Sequence, residues 1–339
     1  MDFFSDYIAN IGNQFFDPKK RVFLAYIFIS VIIAFLWFIF LKKKSLKNAF
    51  FKIFDKKIFF STSSKSDYKV FLINQMIMII ISPFLVTQLA IATTLYFYFH
   101  TIDWLSAGMY SSTIPILVIS AFTIFQFTID DFSKYIIHRF MHKFPILWSI
   151  HKVHHSATTL TPMTVFRTHP LEGIIFSLRS SVTQAVSISL FIFLFGDSVD
   201  LFTILGVNVF VFLFNIFGSN LRHSHIGIRY WRWLEFILIS PAQHQLHHSI
   251  AREHHDKNFG SALACWDWLF DSLHHSIEFD ELELGIKKNQ DKKSHSLVSL
   301  YLGPFVEIKS FLIKKFIKIK IKFNAIFSKG RLINDNEIN

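Results

Sequence analysis

Thirteen of the chain's 17 histidines fall between His138 and His255, and three groups of them share a spacing that one helix face can use. The groups are His138-Arg-Phe-Met-His142, His151-Lys-Val-His154-His155 and His244-Gln-Leu-His247-His248. Side chains three and four positions apart are neighbours on a helix, so each group is expected to aim its ring nitrogens into one small volume. A lone histidine is more often a hydrogen-bonded core residue than a ligand. Three groups together would make a costly core, because every ring brings two nitrogens that need partners. Converging neutral imidazoles suit zinc, copper, iron or nickel, and eight nitrogens without a thiolate exceed the four that one tetrahedral zinc takes. The surplus implies two metal ions.

The remaining histidines divide by context. In Asn220-Leu-Arg-His-Ser-His225, residues two apart diverge on a regular helix, so His223 is expected as a further ligand and His225 is left open. His169 precedes Pro170, which favours extended geometry and a helix-capping role over ligation. His254 and His255 bind metal or orient Asp256; His274 and His275 lie in a polar stretch and are expected in solvent. His100 and His295 fall outside the cluster. Metal-bound imidazoles usually donate their second N–H to a carboxylate or carbonyl, and Asp131, Glu172, Asp256 and Asp267 are the candidates, with Asp130 beside them. Asp131 stands seven residues before His138, two turns along the same helix face. Trp148, Trp266 and Trp268 read as anchors at headgroup depth.

What must position these residues is a membrane protein. Of 339 residues, 52% are hydrophobic and 17% charged, with 43 Phe, too apolar a balance for an ordinary soluble globule. The formal charge of +11 comes from Lys and Arg flanking apolar runs, which fits membrane topology and not nucleic acid. Cys265 stands alone, so the chain holds no internal disulfide, Cys-based zinc finger or iron–sulfur cluster.

Val22 to Leu41 is 20 residues without a charge, long enough to cross a hydrocarbon core as an uncleaved anchor. The lysines that follow it place residues 42 to 69 in the cytoplasm and the N-terminus outside. Val70 to Phe99 reads as one long span bent at Ser82-Pro83, and Thr113 to Ile129 leads back inward. Leu171 to Phe195 and Leu201 to Phe217 form a hairpin, an even number of crossings that leaves all three groups on the cytoplasmic face. The expected fold is all-α: a polytopic helical membrane protein with a cytoplasmic histidine-rich cap holding a dimetal site. Its divisions are 1–69 (anchor and basic segment), 70–286 (catalytic domain) and 287–339 (basic tail). In that tail Phe305 to Phe327 interleaves lysines with Phe and Ile, fitting either an interfacial helix on anionic lipid or a helix packed on the body.

Other chemistry lacks support, since the chain has no HExxH, GxSxG, P-loop, GxGxxG or ExxH pair. The run Asp131-Phe, Tyr135, His138-Arg139, His142, Pro145, Leu147-Trp148, His151 and Val153-His154-His155-Ser156 resembles the fatty acid hydroxylase or sterol desaturase superfamily. So do Arg167-Thr-His169-Pro170-Leu-Glu172, Ser240-Pro241, His244, His247-His248-Ser249, Asp256-Lys-Asn258-Phe-Gly260 and Trp266-Asp267-Trp-Leu-Phe270. The similarity covers about residues 115 to 275. It implies a membrane di-iron enzyme that uses O2 and two external electrons to hydroxylate or desaturate a lipid C–H bond. The implied ligands are His138, His142, His151, His154, His155, His244, His247 and His248, joined by His223 or His225. Where many members read Phe-Gly-Thr, this chain has Phe270-Asp271-Ser272, a departure that touches no implied ligand.

Two other functions compete. A metal transporter would place polar ligands near the bilayer midplane, whereas these histidines cluster at helix ends. A zinc-dependent lipid hydrolase would keep the site but not cycle electrons, and zinc can also replace iron in a purified sample. An acyl or alkyl lipid is favoured over a sterol, because residue usage suggests an AT-rich bacterial genome and hence a bacterial inner membrane. The chain carries no redox module of its own, so electrons must come from a cytochrome, ferredoxin or reductase.

Overall fold

A computed structural model describes residues 3–196, 199, 208–278, 282–287 and 292–334. These are mostly helical, with two isolated β-bridges and no strand among the described residues. The order is α1 (Phe3–Phe16), α2 (Leu24–Leu36, extended by a π turn to Leu41), α3 (Leu46–Ile53), α4 (Lys56–Phe59), α5 (Thr62–Ile81) and α6 (Gln88–Phe99). Then come α7 (Pro115–Lys143), α8 (Pro145–His155), α9 (Pro170–Phe195), α10 (Val209–Phe214), α11 (Pro241–His247), α12 (Cys265–Leu269) and α13 (Leu297–Asn334).

The helices begin where local chemistry lets them. Ser45, Asp55, Ser61 and Thr87 cap α3 to α6 with side-chain oxygens that accept otherwise unpaired backbone N–H groups. Prolines open α7, α8, α9 and α11, where a missing N–H costs nothing. His169 Nδ1 accepts from Leu171 N, which makes it the cap expected of it.

Among the described residues, four segments are long and apolar enough to cross a membrane: Leu24–Leu41, Thr62–Phe99, Pro115–Lys143 and Pro170–Phe195. The second is broken at Ser82–Phe84 by a single 3-10 turn, and α6 then runs along α9. The loop before α7 binds the end of α9 through Gly108 N to Phe193 O and Tyr110 N to Leu194 O. That end of the bundle is opposite the histidines. Of the expected hairpin, residues 197, 198 and 200–207 lie outside the described residues; its return limb is α10, continued by a π turn and one helical turn to Arg222.

Charge counting puts the two ends of α2 on opposite sides of a membrane, but the contacts put both on the histidine-bearing cap. Arg21 reaches Ser219 O and His223, while Lys42 pairs with Glu278. Hydropathy and length record only that α2 is apolar, and its buried face is satisfied by Leu221, Ile226 and Ile228 of the cap.

One polar clasp organises the cap. Arg167, fully buried, pairs with Asp67 of α5 at 2.9 Å and donates to Ser156 Oγ, Val153 O and His295 Nδ1. A buried guanidinium is tolerated only when its donors are satisfied, so this residue ties α5, α8 and the segment before α13 into one body. The tail helix packs on the body at its start and leaves apolar residues exposed further along. Leu300 and Tyr301 pack on Val70 and Val153, and Glu307 pairs with Lys152, whereas Phe316, Ile317, Ile319 and Ile321 are exposed.

Candidate metal centre

The nine histidines expected as ligands fall into two groups. His138, His142, His151, His155 and His247 make the first; His154, His223, His244 and His248 make the second. Within each group one ring nitrogen per residue lies within 4.8 Å of all the others. Nitrogens on opposite sides of a metal with bonds of about 2.1 Å are about 4.2 Å apart, so each cage matches a metal with small adjustments.

Helix geometry explains the division. Residues four apart share a face, so the pairs 138/142, 151/155 and 244/248 each stay together. Adjacent residues diverge by roughly 100°, so His154 leaves His155 for the second cage and His247 leaves His248 for the first. The second and third boxes thus each serve both cages, where one volume per box is the simpler expectation. The cages adjoin: the rings of His155 and His248 stack with centroids 4.5 Å apart.

The outer nitrogens are fixed by neighbours. His138 Nδ1 is 2.7 Å from Phe259 O, His247 Nδ1 is 2.7 Å from Lys257 O, and His151 Nδ1 is 2.9 Å from Glu172 Oε1. Each outer N–H donates outward, leaving the Nε2 lone pair for the cage. Left-handed Asp256 (φ +58°) and Asn258 (φ +57°) turn the Lys257 carbonyl toward His247. The Asn258 amide braces that loop against Gln243 O and His274 N.

In the second cage, Nε2 atoms face one another at 3.0–3.3 Å around His154, His223, His244 and His248. Buried His142 Nε2 and His247 Nε2 have no hydrogen-bond partner among the described residues. Orphaned nitrogens aimed into a shared space fit a metal. Burial, reinforced by neighbouring imidazoles, holds His154, His155, His223, His244 and His248 well below the usual histidine range, and His247 at about 3. All six are neutral near pH 7, the state that binds metal. The donor set, imidazole throughout, suits iron or zinc.

Of the carboxylate candidates only Glu172 touches a cage ring at hydrogen-bond distance. Asp256 pairs with Lys143 at 2.7 Å and stands 3.9 Å from His142 Nδ1. Asp131 is about 10 Å up α7 from His138, by helix rise, and binds Ala262 N, Leu263 N and Trp266 Nε1 instead. Asp267, raised to about 6 by burial, accepts from Phe259 N, Gly260 N and Ser272 Oγ, and so shapes the loop whose carbonyl holds His138. Asp130 pairs with Lys134 and Arg179.

The other histidines stand apart from both cages. His225 Nε2 meets Lys52 O, His254 meets His274 edge to face, and His275 lies 3.3 Å from Glu235. His274 and His275 are half-buried where polarity alone suggests solvent. His295 binds Arg167, and His100 packs on Tyr96 and Phe193. The Trp148 ring lies against His142 and His155, a wall of the first cage and not a headgroup anchor; Trp266 serves Asp131, and Trp268 is exposed. Sequence reading misses Arg21, Arg222 and the carbonyls of Lys257 and Phe259. A backbone acceptor leaves no mark on residue type, and Arg21 looks like one more flanking charge.

Residues 123–272 match the family model described as Fatty acid hydroxylase. Alkylglycerol monooxygenase from Homo sapiens is 30% identical over 140 residues, 41% of this chain and 28% of the human protein. The Danio rerio alkylglycerol monooxygenase is 31% identical over 156 residues, 46% and 31% of the two chains. A delta(7)-sterol 5(6)-desaturase from Gibberella zeae is 30% identical over 126 residues, 37% and 34%. The chain thus spans about a third of the length of these relatives. No solved structure matches it.

Proposed function

We propose that this chain, whose residues 123–272 match the Fatty acid hydroxylase family model, is a membrane oxygenase that hydroxylates or desaturates a lipid C–H bond. Hydroxylation converts R–H, O2, two electrons and two protons into R–OH and water. The electrons come from an external cytochrome, ferredoxin or reductase, the lipid is acyl or alkyl, and the cap faces the cytoplasm of a bacterial cell. The observation that carries this reading is the pair of adjoining all-imidazole cages at the end of an apolar helix bundle.

His138, His142, His151, His155 and His247 would hold one iron, and His154, His223, His244 and His248 the other. Bound there, a two-iron centre supplies O2 activation and hydrogen abstraction from carbon. The protein's residues do the rest. Glu172 and the carbonyls of Phe259 and Lys257 hold the outer protons of His151, His138 and His247 at Nδ1, so these rings cannot turn away. Trp148 and Phe259 cover the first cage with aromatic faces that exclude water.

The test is metal content of the detergent-purified chain, expressed with iron and zinc both supplied, beside a His154→Ala/His155→Ala variant. About two irons per chain, lost in the variant, would support the reading. Zinc alone, unresponsive to iron supply, would replace it with a zinc-dependent lipid hydrolase.

A further inference from the structure

Against the second cage two arginines meet with no carboxylate between them. Arg21 Nη2 donates to Ser219 O and lies 2.8 Å from His223 Nδ1. Arg222, 5% exposed, donates from Nη1 to Ser261 O and rests its guanidinium over the Phe214 ring at 4.8 Å. Both Nε atoms are buried without a partner among the described residues, as are Ser219 Oγ and Asn220 Oδ1.

Arg21, Ser219 and Arg222 line a cleft of about 250 Å3. Its charged walls are Lys19, Arg21, Lys134 and Arg222 against Asp130 and Asp131. Both acids are engaged elsewhere: Asp130 by Lys134 at 2.7 Å and Arg179 at 2.8 Å, Asp131 by two backbone N–H groups and the Trp266 indole. Among the described residues, Lys19, Arg21 and Arg222 have no carboxylate within ion-pair distance. Phe127 on α7 with Val211 and Phe214 on α10 supply an apolar side, and Asn215, Ser219 and Ser261 also line it. A buried guanidinium left with free donors is costly, and its planar fork matches a carboxylate or a phosphate.

We propose that this cleft holds the anionic head of a lipid, its charge between Arg21 and Arg222 and its chain leaving past Phe127, Val211 and Phe214. Resting on the lipid-oxygenase reading, this narrows the substrate to a fatty acid or an anionic phospholipid. A neutral head, such as a sterol hydroxyl, would bring no charge to Arg21 and would leave Arg222 only the more distant field of Asp131, whose oxygens are held by Ala262 N, Leu263 N and Trp266 Nε1. Arg21 touches the outer nitrogen of His223, so the head lies one imidazole ring from the second cage.

The experiment is saturation binding of radiolabelled palmitate, lysophosphatidylglycerol and hexadecanol to the full chain in an uncharged detergent, with inorganic phosphate as competitor. Palmitate or lysophosphatidylglycerol should bind at least about tenfold tighter than hexadecanol, and Arg21→Gln or Arg222→Gln should remove that advantage. Arg21→Lys should retain most of it. Metal content and a thermal melt accompany each variant, and Arg21→Gln, at a less buried site, serves if Arg222→Gln does not fold. Equal binding of palmitate and hexadecanol, or glutamine variants that bind palmitate like the parent, would overturn the proposal. Displacement of all bound lipid by millimolar phosphate would also overturn it, as the mark of a free-anion site. Because binding is read without turnover, anionic lipid bound at this site but never oxidised would refute the oxygenase reading and uphold the anion site.

Discussion

His151 Nδ1 lies 2.9 Å from Glu172 Oε1, a contact that joins the second histidine box to the first turn of α9. Both side chains are buried, so the carboxylate orients the ring without competition from water. Glu172→Ala should weaken metal retention in the first cage by about 10–100-fold while sparing the second. Metal per chain after dialysis against graded chelator measures this; a retention curve matching the parent's would remove Glu172 from the site.

The division into two cages makes single substitutions selective. His223→Ala should take metal content from two per chain to one, and His138→Ala should do the same for the other ion. His225→Ala, two positions from His223 in sequence but bound to Lys52 O, should leave both in place. Loss of both metals in His225→Ala would contradict the geometry.

How far the site can be read from the chain follows from the same residues. The i, i+4 pairs 138/142, 151/155 and 244/248 are legible because a helix repeats them without help from the rest of the fold. Assignment of His154 and His247 to opposite cages depends on where α7, α8 and α11 meet, which no spacing records. His223 is favoured over His225 on helical divergence, though the helix ends at Arg222 and the loop decides. Carboxylates are harder still: Glu172 reaches a ring, while Asp131 and Asp267, equally plausible by type, build the loops behind it. The bundle itself is legible from hydropathy, except that Arg21 turns α2 against the cap.

Acid should loosen the cap. Burial depresses His247 to about 3 from an ordinary value near 6.5, so in the folded state it stays neutral while the unfolded chain takes up a proton. Its stabilising contribution is therefore full above about pH 6.5 and is lost as pH falls toward 3. Between pH 6.5 and 5 His247 removes about 2 kcal/mol, and the other cage histidines depressed by burial act in the same direction. Melting temperatures of the metal-free protein at pH 7.5, 6 and 5 should fall steeply; a flat profile would mean the rings are solvated.

Asp67→Ala should strand Arg167 as an uncompensated buried cation, costing about 3–5 kcal/mol. Asp67 lies in α5, far in sequence from any cage ligand, so the readout is thermal stability and protease resistance. A melt like the parent's would show that the remaining acceptors of Arg167 suffice.

Gly260→Ala should damage the first cage from a distance. A β-carbon there would sit 2.5 Å from Leu263 O and 2.8 Å from Asp267 Oδ2, forcing apart the loop that offers Phe259 O to His138. The expected result is lower metal occupancy in the first cage with the second retained, read by metal analysis; unchanged occupancy would show that the loop yields freely.

Each cage draws on chain from both sides of α9 and α10, since His247 completes the first and His154 belongs to the second. During synthesis neither can close until residue 248 has left the ribosome and the apolar segments between have been threaded into the bilayer. Metal arrival is therefore a late event in the life of the molecule. A nascent chain halted before its third box would carry two incomplete cages, not one finished and one missing.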